Sequence, residues 1–485
     1  MAGAAKNSSA QCSIMISLTE LLLAPMPATR TIAFSQNKSI SAESWQQQVF
    51  AFADHYQQQS SQHYLLWCQS ALQFSIQLFA LWVAGKNVIM PANGQHETLQ
   101  RLADNIDAVV SDDRELLRAA NNLALTVQAT GELPTAPIFT PRVLATNEPI
   151  LTLYTSGSSG EPKAVSRTLQ QMQAELDTLH AQLKPDTDVT VIGAVPHQHI
   201  YGLLFRLLWP LTEGWPFVDE VADYPEPMLA LLQRHAPAML VASPAQLQRF
   251  PEQYDWPAFT AAVECCFSSG APLPLDAALQ MHAATGQAPI EVLGSTETGG
   301  VAFRQRNGQD QVWRRFDSVA CRLNDEGCLE VCSPAASVEG WFAMGDKAEL
   351  LDDQHFRLLG RADRIVKVEG KRLSLTEMER CLLTCPEIGQ CALTVCYHNR
   401  DIVAAVIVLS EQGEQRLQRE GRKALAEYWR QHLLGQFERV LLPRWFRYLP
   451  ALPVDARGKT TQQALQQLFS EATGTEPAIS VQAEK

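Results

Sequence analysis

The sequence has no C-x-x-C pair among its 11 cysteines, no G-x-x-x-x-G-K-[ST] run, no internal repeat, and few basic residues for its size. Each absence removes a class of function. Cys265-Cys266, Cys328-x3-Cys332, Cys381-x3-Cys385 and Cys391-x4-Cys396 are the nearest spacings, and no His follows at a zinc interval. The cysteines therefore read as small buried hydrophobes in a reducing compartment. Lys+Arg total 39 against 52 Asp+Glu, a formal net charge of −13. A surface of that sign is repelled by phosphate backbones and anionic lipid. It excludes a general nucleic-acid-binding role and leaves room for a local site that holds a small anion. An export signal is not expected, because Lys6 is the single early cation and Glu20 interrupts the apolar run. Tyr64–Ala84 is long enough to span a bilayer, but Gln69, Gln73 and Gln77 recur every four residues along it. Lipid would leave those amides unpaired, so the spacing predicts an amphipathic helix packed on one side, ended by Gly85, with no membrane span. The expected location is cytoplasmic.

What remains is ordinary globular material. The chain has 485 residues, 46% hydrophobic and 19% charged, enough for two to four domains with packed cores. Helical and strand-like stretches alternate, which predicts an α/β fold. Val88–Met90, Val189–Val195, Pro237–Ala242, Val263–Phe267 and Ile290–Leu293 read as buried strands, most of them ending in Ser-, Gly- or Pro-containing loops. In open α/β sheets, ligands collect at such carboxyl ends. Near residue 310 the texture becomes β-rich, with strands expected at Val312–Arg322, Cys328–Ser333 and His355–Leu359. A helix at Leu375–Thr384, strands at Cys391–Tyr397 and Ile402–Leu409, and helices at Glu414–Leu434 and Thr461–Phe469 follow. The expected organisation is a large N-terminal multi-layer α/β domain with a β-rich subdomain over 1–360, a small mobile α+β C-terminal domain over 361–468, and a disordered tail over 469–485.

The most informative stretch is Leu151-Thr-Leu-Tyr-Thr-Ser-Gly-Ser-Ser-Gly-Glu-Pro-Lys163. An apolar strand runs into small and hydroxylic residues whose N–H and O–H groups would ring a phosphate, with a lysine to supply charge. It lacks the Walker spacing, so P-loop ATPase chemistry is disfavoured. Gly294-Ser-Thr-Glu297-Thr-Gly-Gly places a carboxylate at a strand's carboxyl end, where it would hold Mg²⁺ bridging nucleotide phosphates. Gly345-Asp346 reads as a turn after Trp341-Phe342, and an Asp there can accept from two vicinal ribose hydroxyls. Gly360-Arg361-Ala-Asp363, Lys367-x-x-Gly370 and Gly458-Lys459 complete the series. Each is ordinary alone; their order is not.

In that order, over about residues 40–465, the sequence resembles the adenylate-forming superfamily of acyl- and aryl-CoA synthetases, peptide-synthetase adenylation domains and luciferase. TSGSSGEPK (155–163) is similar to the phosphate-binding loop. The resemblance places Thr155 among the catalytic residues and Ser156, Gly157, Ser158, Ser159, Gly160 and Lys163 against nucleotide phosphates. PHQHIYG (196–202) resembles the loop beside the acyl pocket, which implies roles there for His199 and Tyr201. SSGAPL (268–273) is similar to the adenine-side loop, with Gly270 and Ala271 at the nucleotide, and STE (295–297) to the segment with Thr296 and the metal-associated Glu297. GCLEVCSP (327–334) is similar to the strand motif that follows. Asp346 and Arg361 fall on ribose-binding positions, Asp363 on the hinge pivot, Lys367 on the nucleotide side, and Lys459 on the catalytic-lysine position.

The resemblance implies two half-reactions with ATP and Mg²⁺: attack of a carboxylate on the α-phosphate to give an acyl-adenylate, then displacement of AMP by a pantetheine thiol of CoA or of an acyl carrier protein. Short stand-alone ligases of this kind resemble those of bacterial aryl-polyene and fatty-acid-like clusters, where the acceptor is a carrier protein. A non-catalytic nucleotide-binding scaffold is the alternative, against which both Glu297 and Lys459 are retained. The sequence departs from the pattern at Leu293, usually an aromatic stacked on adenine, and at Met344, usually Thr. His197, Gln198 and His199 stand where amino-acid-activating relatives carry an Asp near the substrate ammonium, which argues against an α-amino acid. Cys265, Phe267 and Leu293 are expected to wall an apolar pocket for an aryl or medium acyl chain.

Overall fold

The structure, a computed structural model, describes residues 15–21, 23, 26–27, 29–130, 146–156, 162–251, 253–309, 311–368, 371–397, 401–434, 436–454 and 460–470. The chain forms two compact units, one holding residues up to Cys321 with Val331–Phe342, the other Arg322–Glu330 with Ala343 onward. The α/β architecture expected from the alternating pattern is observed.

The first unit contains two sheets. One is ordered Thr126–Ala129, Ala108–Ser111, His63–Trp67, Asn87–Met90, Pro149–Ser156, Pro162–Thr168, parallel up to its last, antiparallel pair. In the other, Ile290–Ser295, Val263–Ser268, Ala238–Ala242, Thr190–Gly193, Phe217–Val218 and Thr31–Ser35 lie parallel in that order. The hairpin strand Gly299–Gln305 extends it beyond Ile290–Ser295 in the antiparallel sense. Parallel strands covered on both faces are apolar throughout, and Ala238–Ala242 is buried at every position.

The segment Tyr64–Ala84 departs from expectation in two ways. Its first residues belong to the strand His63–Trp67, and the helix begins only at Ala71, where the Ser70 side chain caps the Gln73 N–H. Nor is the helix packed on one side: Gln77 is fully buried and accepts from Tyr56 Oη, while Ser75 accepts from Trp45 Nε1 at 3.0 Å. The helix Ala42–Gln58 lies against it and meets the stripe only in part, since Gln73 Oε1 and Gln77 Nε2 are buried without a hydrogen-bond partner. Gly85, at φ +71°, ends the helix as expected.

In the second unit, Phe342–Leu350 pairs antiparallel with His355–Arg361, and Gly345-Asp346 lie within that strand, not in a turn. The single strand expected over Val312–Arg322 is two, Val312–Arg315 in the first unit and Ala320–Leu323 across the change of unit after Cys321. Ile388–Tyr397, Asp401–Leu409 and Trp445–Tyr448 form a three-stranded sheet whose central strand shows strict alternation. Val403, Ala405 and Ile407 pack with Trp429, Leu425 and Leu382 on one face. Ala404, Val406 and Ile402 pack with Leu465 and Phe469 on the other. The helix expected as continuous over Glu414–Leu434 runs from Glu411 to Leu433 and is kinked at Gly421 (φ 80°, ψ 165°), a conformation open to glycine. The last helix, Gln462–Ser470, takes in Phe469 and Ser470 from the segment expected as tail, and 471–485 lie outside the described residues. Among the described residues no helix is long and apolar enough to cross a membrane.

Candidate active site

Pro149–Ser156 and Pro162–Thr168 form a hairpin in which Thr155 faces Lys163 and Ser156 faces Pro162. The strands on either side of the phosphate-loop candidate are thus antiparallel partners, and the segment that follows it is the strand Pro162–Thr168. Gly157, Ser158, Ser159 and Gly160 lie outside the described residues, and Thr155 and Ser156 are placed by their backbone alone. Lys163 is described in full. Its Nζ donates to Glu297 Oε1 at 3.0 Å and lies 6.0 Å from the centre of the Phe342 ring. The structure thus joins two residues 134 positions apart that were singled out separately in the sequence.

Glu297 sits at the tip of the hairpin between Ile290–Ser295 and Gly299–Gln305. Ser295 and Thr298 close the tip reciprocally, the Ser295 N–H donating to Thr298 Oγ1 at 3.1 Å and the Thr298 N–H to Ser295 Oγ at 3.2 Å. The Ser337 N–H donates to the Glu297 carbonyl at 2.7 Å. Gly299 adopts φ +68°, and a Cβ there would lie 2.8 Å from Glu175 Oε2 and 3.0 Å from Ala335 Cβ. Half-burial works to raise the Glu297 pKa, but the hydrogen bonds from Lys163, its own N–H and Ser295 outweigh it and hold the carboxyl below its ordinary value.

Whether this carboxylate suits Mg²⁺ can be judged from its donors. Among the described residues no group of three or more His, Cys, Asp or Glu could hold a metal. One ionised carboxylate beside a lysine fits an ion that arrives on nucleotide phosphates and keeps most of its oxygen ligands there. Gly270 and Ala271 are exposed on the loop after Val263–Ser268, with Gly270 at φ +91° and Ser269 Oγ donating to the Val292 carbonyl at 2.8 Å. Because Val263–Ser268 and Ile290–Ser295 are parallel neighbours, this loop and the Thr296-Glu297 tip emerge from the same edge of the sheet.

On the acyl side, His197 and His199 separate. His197 is buried, its Nε2 bonded to the Cys68 carbonyl at 3.0 Å, beside the same carbonyl that accepts from Gln198. Burial, then Arg206, pushes its pKa well below the ordinary value, so it is a neutral tie. His199 is half-buried at the residue preceding the short helix Ile200–Gly202. Tyr201 commits its hydroxyl to the Ala242 carbonyl at 3.1 Å. Phe267, expected as a pocket wall, is fully buried against Phe205 and Trp209 and is a core residue; Cys265 and Leu293 are half-buried.

The second unit carries its own pair. Asp346 and Arg361 are directly opposite in register, with Nη1–Oδ2 at 3.5 Å and Nη1 donating to the Met344 carbonyl at 3.2 Å. Gly345, at φ +75°, would bring a Cβ to 3.4 Å from Arg361 Nη2. Lys367 is placed by its backbone in the strand Ile365–Val368, and Lys459 lies outside the described residues.

Residues 31–327 match the family described as AMP-binding enzyme. The chain belongs to this family. An anthranilate–CoA ligase of Pseudomonas aeruginosa is 26% identical over 348 residues, covering 65% of this chain and 66% of that protein. A 4-coumarate–CoA ligase of Cereibacter sphaeroides is 27% identical over 282 residues, 57% of this chain and 64% of that one. The matched stretch thus spans about two thirds of those relatives' length. Among solved structures, ATP-bound MatB from Rhodopseudomonas palustris superposes with a TM-score of 0.81 at 19% identity, over 94% of this chain and 99% of that one. An anthranilate CoA ligase, AuaEII, in complex with anthranoyl-AMP gives 0.75 at 16% identity, over 95% and 98%. At such identities the likeness establishes the fold, that of adenylate-forming enzymes. Sequence reasoning missed Arg167 and Glu175, two buried charged residues beneath the Glu297 tip of this AMP-binding enzyme. A basic residue four positions after Lys163 on the same strand was the available signal.

Proposed function

We propose that this AMP-binding enzyme activates a carboxylic acid with ATP, forming an acyl-adenylate and pyrophosphate, and passes the acyl group to a pantetheine thiol. The observation that carries this reading is the Lys163–Glu297 contact at 3.0 Å, which sets a cation and an ionised carboxylate side by side next to the hydroxyl- and glycine-rich hairpin. The acid is already ionised at neutral pH, so the first half-reaction needs orientation and neutralisation of charge developing on the α-phosphate, not proton transfer. The 155–163 hairpin would cradle the departing pyrophosphate. Glu297 would hold Mg²⁺, whose charge screens the phosphates when bound. Lys459 would bridge the carboxylate and the α-phosphate. Thr296, Gly270 and Ala271 would meet the nucleotide, Asp346 would accept from the ribose hydroxyls beside Arg361, and Lys367 would add positive charge.

His197 and Gln198 hold the 196–202 loop by the Cys68 carbonyl, and His199 would be the polar group toward the acyl chain. With no carboxylate in that loop to hold an ammonium, the substrate is an aryl or fatty acyl acid without an α-amino group. The second half-reaction would follow rotation of the C-terminal region, 361–468, about Asp363, removing Lys459 and admitting the thiol. The names of the relatives favour CoA as the acceptor, and a carrier protein uses the same pantetheine chemistry. ATP–pyrophosphate exchange over a panel of aryl and fatty acids, then repeated with CoA and with a holo carrier protein, tests the reading. Exchange with at least one acid is expected. Nucleotide binding without exchange for any acid would instead support a non-catalytic scaffold.

A further inference from the structure

Lys163 and Arg167 lie four residues apart on the strand Pro162–Thr168 and so share a face. Both reach the tip that carries Glu297: Lys163 Nζ donates to Glu297 Oε1 at 3.0 Å, and Arg167 Nη1 to the Thr296 carbonyl at 3.1 Å. Their settings differ. The Lys163 side chain is 56% exposed, whereas Arg167 is fully buried. Arg167 Nη2 donates to Glu175 Oε2 at 2.9 Å, and the other oxygen of Glu175 accepts the Gly300 N–H at 2.8 Å. One buried ion pair therefore grips the tip at Thr296, just before Glu297, and at Gly300, just after it. There is no slack, since a Cβ on Gly299 would meet Glu175 Oε2 at 2.8 Å.

Stability alone does not account for such a pair. Burial opposes the charge on both partners, lowering the Arg167 pKa and raising that of Glu175, and their mutual contact only partly offsets this. Apolar residues of similar volume are often as stable at such sites or more so. A planar guanidinium fork can hold Glu175 and the Thr296 carbonyl at once, which a lysine ammonium at the same position is poorly shaped to do.

We propose that Arg167 and Glu175 are positioning residues that fix the Thr296–Gly300 tip so that the Glu297 carboxylate is presented to nucleotide-borne Mg²⁺. The strand Pro162–Thr168 then serves the phosphate side through Lys163 and the metal side through Arg167. This inference rests on the ATP-dependent reading given above.

The test compares wild type with Arg167→Lys in the full chain, by Mg²⁺ titration of ATP binding in a calorimeter and of ATP–pyrophosphate exchange. Removal of residues that orient a metal ligand commonly weakens metal affinity 10- to 100-fold. The expected result is a rise of about tenfold or more in half-saturating Mg²⁺ in both measurements, with the KM of the acid unchanged. An unchanged Mg²⁺ requirement in the folded variant, or an equal rise in the acid KM, overturns the proposal. The double variant R167M/E175M, which removes the ion pair without leaving a lone buried charge, carries the same criterion should Arg167→Lys fail to fold. If wild type shows no exchange with any acid, the activity reading fails separately, and Mg²⁺-dependent ATP binding still decides the role of Arg167.

Discussion

Two charged pairs, Lys163–Glu297 in the first unit and Arg361–Asp346 in the second, are alike in chemistry and unlike in support. Each sets an exposed cation beside a less exposed carboxylate, with the Lys163 side chain 56% and the Arg361 side chain 47% accessible. Glu297 is held from beneath by a buried ion pair, by the Ser295–Thr298 closure and by glycines with no room for a side chain. Asp346 and Arg361 face one another across two antiparallel strands, 3.5 Å apart, and Arg361 also donates to the Met344 carbonyl. The carboxylate proposed to meet a metal and phosphates is built on a tight, buried base. The pair proposed for the ribose hydroxyls lies on a segment that leads into the proposed pivot. The larger effects on catalysis are accordingly expected at Glu297.

The largest expected effect separates the two regions outright. Asp363→Pro should abolish thioester formation while leaving ATP–pyrophosphate exchange in place, because proline fixes one backbone torsion at the pivot. Equal loss of both activities would contradict the division. Next, Glu297→Gln should lower the rate of exchange by on the order of 10²–10³, as for other groups that stabilise developing charge. Asp346→Ala should act more mildly and on binding: hydrogen bonds to charged groups contribute about 1.5–3 kcal/mol, so the KM for ATP should rise roughly ten- to a hundredfold with kcat little changed. If Asp346→Ala proved as damaging to kcat as Glu297→Gln, the contrast between the pairs would be lost.

The smallest effect concerns pH. Hydrogen bonds from Lys163 and its neighbours hold Glu297 below its ordinary pKa despite half-burial, so the carboxylate stays ionised as pH falls toward the usual carboxylate range. Activity that needs the ionised form is therefore retained until pH drops through that lowered value. In Lys163→Met the burial effect is left less opposed, the pKa rises, and the acid limb of the pH–rate profile should move to higher pH. An unmoved limb would show that the contact does not set the ionisation of Glu297.

The residues proposed for the site could be named from the sequence, whereas the residues that support them could not. Hydroxyl-rich loops, Glu297, Asp346 and Arg361 can be read locally because each belongs to one strand end or one strand pair. The grip of Arg167 on the Thr296 carbonyl spans 129 positions, and nothing in the intervening sequence announces it. Tyr64–Ala84 was misjudged because an apolar run cannot by itself distinguish a buried strand followed by a buried helix from one longer helix. Gln77 suggested a wet face, yet its amide is met by Tyr56 inside the core. The strand Phe342–Leu350 was missed because Gly345, Asp346 and Lys347 read as a turn, whereas Gly345 at φ +75° lets the strand pass with Arg361 alongside.

In the proposed reaction this chain makes an acyl-adenylate, with Lys459 neutralising charge at the α-phosphate. The most direct test is carboxylate-dependent ATP–pyrophosphate exchange in wild type and Lys459→Ala, measured side by side with the best acid of the panel. The account predicts exchange in wild type and a loss on the order of 10²–10³ in the variant. Full exchange in Lys459→Ala would contradict it.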